Sequence, residues 1–279
     1  TLIPIAVLTD SYTASSAEIV AGALQDLDRA VLIGRRTFGK GLVQSTLPTG
    51  FNSYLKVTTA KYYIPSGRCI QAIDYTHRNP NGSVGYVADS LVSEFATRGG
   101  RKVYDGGGIM PDIRTEPQYA SGFAISLYEQ GAVEDFADTF MRENRDTEIA
   151  PLTFSLPEEW YQRFARQAAQ AAQNYKSETE TALDELASSA ERELLLPEIK
   201  QYADSIRSKI AGDKDGYFQR HRDELSALLE DEILLRRTYA EGVAAHKLLS
   251  DKDTQEAERI LNNPAEYRRI LAEQDTERK

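Results

Sequence analysis

The feature that most restricts this chain is an apolar run that stops abruptly, turns through small polar residues and resumes as a helix. Ile3 to Leu8 is apolar, as expected of a buried strand. Thr9 to Ser16 is mostly small and polar, and alanine-rich Ala17 to Leu27 has the composition of a helix. A second short apolar strand follows over Ala30 to Ile33. Strand, helix and strand within so few residues predict a parallel, right-handed crossover unit. The sheet of this chain is therefore expected to be parallel at its start, with a helix on one face.

A serine at such a strand-to-helix turn carries its hydroxyl at the helix N-terminus. Unpaired backbone N–H groups there point at whatever is bound to it, which is a common way to build an oxyanion hole. Taken on the turn alone, helix capping is the commoner role for Ser15 or Ser16. A nucleophilic serine needs a base nearby. Lys40 is a candidate, because it sits between Gly39 and Gly41 just after the second strand. Flanking glycines allow close backbone packing that draws a lysine inward, and desolvation moves an amine toward the neutral form that accepts a proton. An exposed lysine on a turn is the plain alternative. Gly34, Gly39 and Lys40 also fit the spacing of a phosphate-binding loop, but Gly41 follows where that loop needs Ser or Thr, and a strand pattern follows where it needs a helix.

These two stretches resemble the carboxy-terminal processing, or tail-specific, peptidases. The family's nucleophile motif, Ser-Ala-Ser-Ala-Ser-Glu before Ile and an alanine-rich helix, is similar to Thr13-Ala14-Ser15-Ser16-Ala17-Glu18 followed by Ile19. Its lysine motif, Thr-Phe-Gly-Lys-Gly with a glutamine four residues after the lysine, matches Thr37-Phe38-Gly39-Lys40-Gly41 with Gln44. The resemblance implies Ser15 as nucleophile, Lys40 as general base and Gln44 as the residue that orients the lysine. It implies the backbone N–H of Ser16 as part of the oxyanion hole and matches Asp26 to an auxiliary acidic position. The departure is local: Ser16 stands where the family has Ala, and Ala17 where it has Ser. Tyr62-Tyr63-Ile64-Pro65-Ser66-Gly67-Arg68 and Gly107-Gly108-Ile109-Met110-Pro111-Asp112 are similar to two further segments of the family. The helical part is more loosely similar to the extension found in bacterial members, particularly from the Bacteroidetes.

Composition narrows the remaining options. The 279 residues carry a net charge of −10, which argues against nucleic-acid binding and against docking on an anionic membrane. No apolar run reaches membrane-spanning length. No signal peptide opens the chain, and a strand at its very start suggests a fragment of a longer protein, with any targeting segment outside it. Cys69 is the only cysteine, so no internal disulfide forms. It lies in a strand-like Arg68-Cys69-Ile70-Gln71 and is expected to be a packed thiol. His77, His221 and His246 are scattered without metal-ligand spacing, and no cofactor is expected.

Beyond the second motif, Leu42 to Leu47 and Tyr54 to Tyr63 carry strand signatures, with Pro48-Thr49-Gly50 as the turn between them. Tyr75 to Gly108 is rich in turn formers and predicts a long loop holding Asp89 to Phe95. A helical pattern returns over Gln118 to Glu143 with a break near Gly131, and Phe123, Leu127, Phe136 and Phe140 are candidate core positions. Pro157 is placed in the first turn of a helix whose Trp160, Tyr161 and Phe164 form an aromatic core stripe. Ser177 to Glu180 has a capping-box pattern, and Pro197 is expected to interrupt a helical run from Leu183 to Ile210. Phe218 to Leu249 is a long helix, and Asp251 and Asn263 precede two shorter ones. The expected architecture is an α/β peptidase core over 1–144, a linker over 145–151 and an all-α helical domain over 152–279. By resemblance the core is of the crotonase/ClpP-like spiral type, incomplete in this chain.

The resemblance implies a serine endopeptidase acting on polypeptides near their C-termini, in the periplasm or cell envelope. It also implies that the family's peptide-binding PDZ domain and first core strands are missing here, so that this piece alone has little or no activity. A homo-oligomer is compatible with it. The alternative class is a non-catalytic scaffold whose helices dock a partner. A crotonase-like acyl-CoA enzyme shares the expected fold, but such chemistry does not require a lysine at position 40.

Overall fold

The computed structural model describes residues 3–117, 119–211 and 214–272. They divide into two compact units: the chain through Pro117 together with the residues from Asp251 onward, and the chain from Gln118 to Ser250. The boundary therefore does not follow 145–151. That segment lies inside the second unit, and the last two helices belong to the first.

The first unit begins with β1 (Ala6–Thr9), α1 (Ser16–Asp26) and β2 (Val31–Gly34). After it come β3 (Leu42–Gly50), β4 (Ser53–Lys61), β5 (Ile73–Arg78), β6 (Val84–Tyr86), β7 (Glu94–Ala96), β8 (Lys102–Tyr104) and β9 (Ile113–Arg114). Strands β1, β2 and β9 form a parallel sheet in the order β1-β2-β9, with Val7 opposite Leu32 and Ile33 opposite Ile113. The remaining strands pair as antiparallel hairpins. The segment read as one long loop over Tyr75–Gly108 thus contains two hairpins. Their strands are too short for an alternating pattern to stand out.

The first hairpin turn also differs from expectation. β3 runs through Pro48 to Gly50, and the chain reverses at Phe51 and Asn52, both with positive φ (48° and 56°). A two-residue turn of that hand suits the twist of a hairpin, and Pro48 is tolerated because a strand can lack a donor on an unpaired edge. Cys69 lies in a strandless segment and is half-buried.

The second unit holds α2 (Gly122–Glu129), α3 (Ala132–Glu143), α4 (Glu158–Gln167), α5 (Ala169–Asn174), α6 (Glu178–Arg192), α7 (Leu196–Ala211), α8 (Lys214–Arg220) and α9 (Arg222–Lys247). Phe123, Leu127, Phe136 and Phe140 are buried as expected, packed with Tyr161, Phe164 and residues of α9. Gly131 makes the break between α2 and α3 with φ of 74°. Pro157 occupies the cap of α4, one residue before its first turn. Pro197 does not break a helix: it sits in the first turn of α7, where its missing N–H costs nothing. The interruption lies just before it, at Leu194.

In the first unit, α10 (Lys252–Leu261) and α11 (Pro264–Ala272) close the chain. Successive β2 side chains point to opposite faces, so each face of the sheet has its own cover. Leu32 packs with Ala21 of α1, Ile64, Ile70 and Ile109. Val31 and Ile33 pack with Ala257, Ile260 and Tyr267 of the last two helices. Each such fully buried aliphatic side chain contributes about 1.5–3 kcal/mol. The Tyr267 hydroxyl accepts from the Ile5 N–H at 3.0 Å and has the Ile5 carbonyl at 3.1 Å. Arg35 reaches Asp253 at 3.1 Å. The β1–α1–β2 unit is thus held from both sides, and it carries Ser15 at one end of its helix.

Candidate active site

The turn after β1 is built on Asp10. Its Oδ1 accepts from the N–H groups of Tyr12 (3.0 Å) and Thr13 (2.8 Å) and from the Thr13 hydroxyl (2.9 Å). This local network ends β1 and delivers the chain to Ser15. Ser15 has φ 59° and ψ −120°, a left-handed conformation in a residue that is not glycine. Such backbone costs about 1–3 kcal/mol and persists only where the surroundings enforce it.

Glu18, three residues later in the first turn of α1, enforces it. Its Oε2 accepts from the Ser15 N–H at 2.8 Å and from the Lys40 N–H at 2.8 Å. Its Oε1 accepts from the Gly39 N–H at 2.7 Å and the Thr37 hydroxyl at 2.5 Å. Glu18 is 0% exposed, so these four donors replace the water its carboxylate has lost. Thr37 continues the network: its Oγ1 accepts from the Ile109 N–H at 2.7 Å, and its own N–H donates to the Ile109 carbonyl at 3.0 Å. One buried acid therefore ties the serine turn, the lysine loop and the glycine-rich segment before β9 together.

The glycines around Lys40 act as the sequence suggested. A Cβ on Gly39 would meet the Ala72 Cβ at 2.2 Å, and one on Gly41 would meet the Gln71 N at 2.7 Å. The close packing holds the lysine's backbone but does not shelter its side chain. Lys40 is exposed, contrary to the expectation of a desolvated amine, because close backbone packing does not by itself cover a side chain. Gln44 lies exposed on β3, and among the described residues its side chain makes no hydrogen bond. The glutamine that touches the lysine loop is Gln71, whose Oε1 accepts from the Gly41 N–H at 2.8 Å.

Ser16 opens α1, where position alone leaves its N–H without an intrahelical acceptor. Asp26 ends the same helix. At a rise of about 1.5 Å per residue it lies about 16 Å from Ser15. It is buried against Arg68, with Oδ1 2.9 Å from Nη2 and 3.1 Å from Nε, and its Oδ2 accepts from the Ser66 N–H at 2.9 Å. Burial lowers the pKa of Arg68, while the Asp26 carboxylate pulls it back up. Asp26 is the buried counter-ion of Arg68 here. Among the described residues no three His, Cys, Asp or Glu side chains form a metal-ligand group.

Sequence reasoning passed over Glu18, Thr37 and Gln71 as parts of the site. For Glu18 a signal existed: an acid three residues after a serine at a helix start is half of a capping box. Gln71 lies in an irregular segment and gave no signal.

One carboxylate thus joins a strained serine at a helix start to the loop of a glycine-flanked lysine. Residues 1–78 match peptidase family S41, and residues 123–261 match the C-terminal helical domain described for probable PDZ-proteases. Residues 1–78 are thus similar to peptidase family S41, and relatives similar to this chain carry the name carboxy-terminal-processing protease. It is 56% identical over 73 residues to a carboxy-terminal-processing protease of Bartonella bacilliformis, covering 26% of this chain and 17% of that protein. It is 52% identical over 97 residues to the chloroplastic carboxyl-terminal-processing peptidase 3 of Arabidopsis thaliana, covering 34% of this chain and 18% of that protein. A solved photosystem II D1 C-terminal processing protease is 30% identical, with 41% of this chain and 21% of that chain covered at a TM-score of 0.28. The matched stretches thus span less than a fifth of the two sequence relatives' own length.

Proposed function

We propose that this chain carries the serine–lysine centre of an endopeptidase that cuts polypeptides near their C-termini. The observation that supports it most is the shared acceptor: Ser15 and Lys40 both donate their N–H to Glu18 Oε2. In this reading Ser15 Oγ attacks the scissile carbonyl while the neutral Lys40 amine takes its proton. The tetrahedral oxyanion is held by the Ser16 N–H. Lys40 then returns the proton to the leaving amine, and water attacks the acyl-enzyme by the same route. Gln44 orients the amine from β3. A bound polypeptide would exclude water from Lys40 and favour the neutral form the reaction needs.

The substrate class, an extracytoplasmic location in the periplasm or envelope, and weak activity of this piece alone complete the proposal. All three rest on family resemblance. Among the described residues no helix is long and apolar enough to cross a membrane. The exposure of Lys40 favours one second reading, a non-catalytic relative that uses its helices to dock a partner. A fluorogenic peptide assay separates the two. The full-length gene product should cleave, and Ser15→Ala and Lys40→Ala should each abolish cleavage. Retained cleavage in either variant would end the dyad assignment, and this chain matching full-length turnover would end the claim of weak activity.

A further inference from the structure

Gly39, Lys40 and Gly41 turn three successive backbone N–H groups toward side chains. Gly39 and Lys40 donate to the two oxygens of Glu18, at 2.7 and 2.8 Å. Gly41 donates to Gln71 Oε1 at 2.8 Å. Lys40 therefore stands between an acid on one side and an amide on the other.

The two ties govern different peptide planes. The plane between Gly39 and Lys40 is held twice, by the Lys40 N–H on Glu18 and by the Gly39 carbonyl, which accepts from the Ala72 N–H at 2.9 Å. The plane between Lys40 and Gly41 is held by Gln71; among the described residues the Lys40 carbonyl accepts no hydrogen bond. These two planes set φ and ψ of Lys40, and with them the direction of its Cα–Cβ bond.

Gln71 is itself held still. Its Nε2 donates to the Ile73 carbonyl at 2.9 Å, so the amide meets a donor with its oxygen and an acceptor with its nitrogen. A flipped amide would lose both bonds, which leaves one orientation. The backbone that carries it is pinned as well: the Ile70 carbonyl accepts from the Gly108 N–H at 2.9 Å, and the Ala72 carbonyl from the Val87 N–H at 2.8 Å. Gly41 is buried against this segment, where an added Cβ would lie 2.7 Å from the Gln71 N. Buried there, the Gly41 N–H depends on Gln71 for its acceptor.

We propose that Gln71 is a positioning residue for the Lys40 amine, acting through the Gly41 peptide. The proposal rests on the serine–lysine reading and adds to it a residue that works at one remove from the chemistry. Glu18 fixes where the lysine backbone lies, and Gln71 fixes which way the side chain leaves it. Lys40 is exposed, so its backbone has the larger share in aiming it. A long side chain magnifies a small rotation at its root, and a displacement of about 1 Å in a reacting group costs about 100-fold in rate.

Steady-state cleavage of a fluorogenic peptide by the full-length protein tests it, with the folded fraction read by circular dichroism. Gln71→Met keeps the bulk and removes the acceptor. Its kcat per folded molecule should fall about 100-fold with KM unchanged. The acid limb of the kcat/KM profile, where the amine must give up its proton, should also move, which a loss of folded protein alone would not cause. Gln71→Glu keeps an oxygen for the Gly41 N–H and should recover part of the lost kcat. A Gln71→Met enzyme with parental kcat, a loss fully matched by unfolding, an unmoved acid limb, or a Gln71→Glu enzyme no better than Gln71→Met would each overturn the proposal. Lys40→Ala separates the two levels. If it abolishes cleavage while Gln71→Met does not, the dyad stands and the positioning role falls. If it leaves cleavage intact, the serine–lysine reading has failed and the positioning role with it.

Discussion

Ser15 and Lys40 donate their backbone N–H groups to the same oxygen, Glu18 Oε2, each at 2.8 Å. Twenty-four residues separate them in sequence, including a helix and a strand. The carboxylate sets their spacing more tightly than either loop could alone. It also fixes the polarity of the site, because two N–H groups turned toward one buried anion leave their side chains to project elsewhere.

Replacing that carboxylate is the first test. Glu18→Gln keeps the shape but turns an amide NH₂ toward two of the four donors, leaving buried groups unpaired at a cost of about 3 kcal/mol. The urea midpoint should fall accordingly. In the full-length protein, loss of positioning should lower turnover by about 100-fold or more. A Glu18→Gln chain as stable as the parent would mean the clamp carries little.

The strained serine gives a second, opposite-signed effect. Ser15→Gly relieves a left-handed backbone and should stabilise the chain by about 1 kcal/mol relative to Ser15→Ala. Both variants should be inactive. Thermal melts read the difference directly, and a glycine variant less stable than the alanine variant would show that the turn is not strained.

Asp26 and Arg68 should behave as a structural pair. Asp26→Ala leaves a buried guanidinium with Gln25 and Tyr104 as neutral partners and should cost about 3–5 kcal/mol. The folded fraction that remains should still present Ser15 unchanged, as read by a serine-directed probe. Loss of probe reaction without loss of stability would return Asp26 to the catalytic group.

In the second unit, burial pushes the Tyr161 phenol up to about 12, and its hydroxyl donates to the Phe218 carbonyl at 2.5 Å. The unfolded chain loses that proton near its ordinary value of 10.0, before the folded chain does. Stability from this group is therefore complete below about pH 10 and is lost as pH rises toward about 12. Urea midpoints across that range should fall, and Tyr161→Phe should reduce the slope. An unchanged slope would count against a buried phenol.

The parts legible in the sequence are those set by local pattern. The Ile3–Leu8 run, the Ala17–Leu27 composition and the Ser177 capping box each report on neighbours within a few residues, and β1, α1 and α6 follow from them. The serine and lysine motifs were equally plain. What was not legible depends on distant partners. Asp251 and Asn263 signalled two helices, but nothing local said that Ile260 and Tyr267 would cover Val31 and Ile33. Phe51 and Leu194 take left-handed backbone that their side chains disfavour, so neither turn announced itself. Lys40 lies bare for a related reason. The glycines beside it govern how closely the backbone packs, whereas its burial depends on what lies above it.

The most direct test of the serine–lysine account is reaction of the full-length protein with a fluorophosphonate, followed by peptide mass spectrometry. The account predicts a single adduct on Ser15 that disappears in Lys40→Ala while the fold is retained. An adduct on a different serine, or labelling of Ser15 that is indifferent to Lys40, would contradict it.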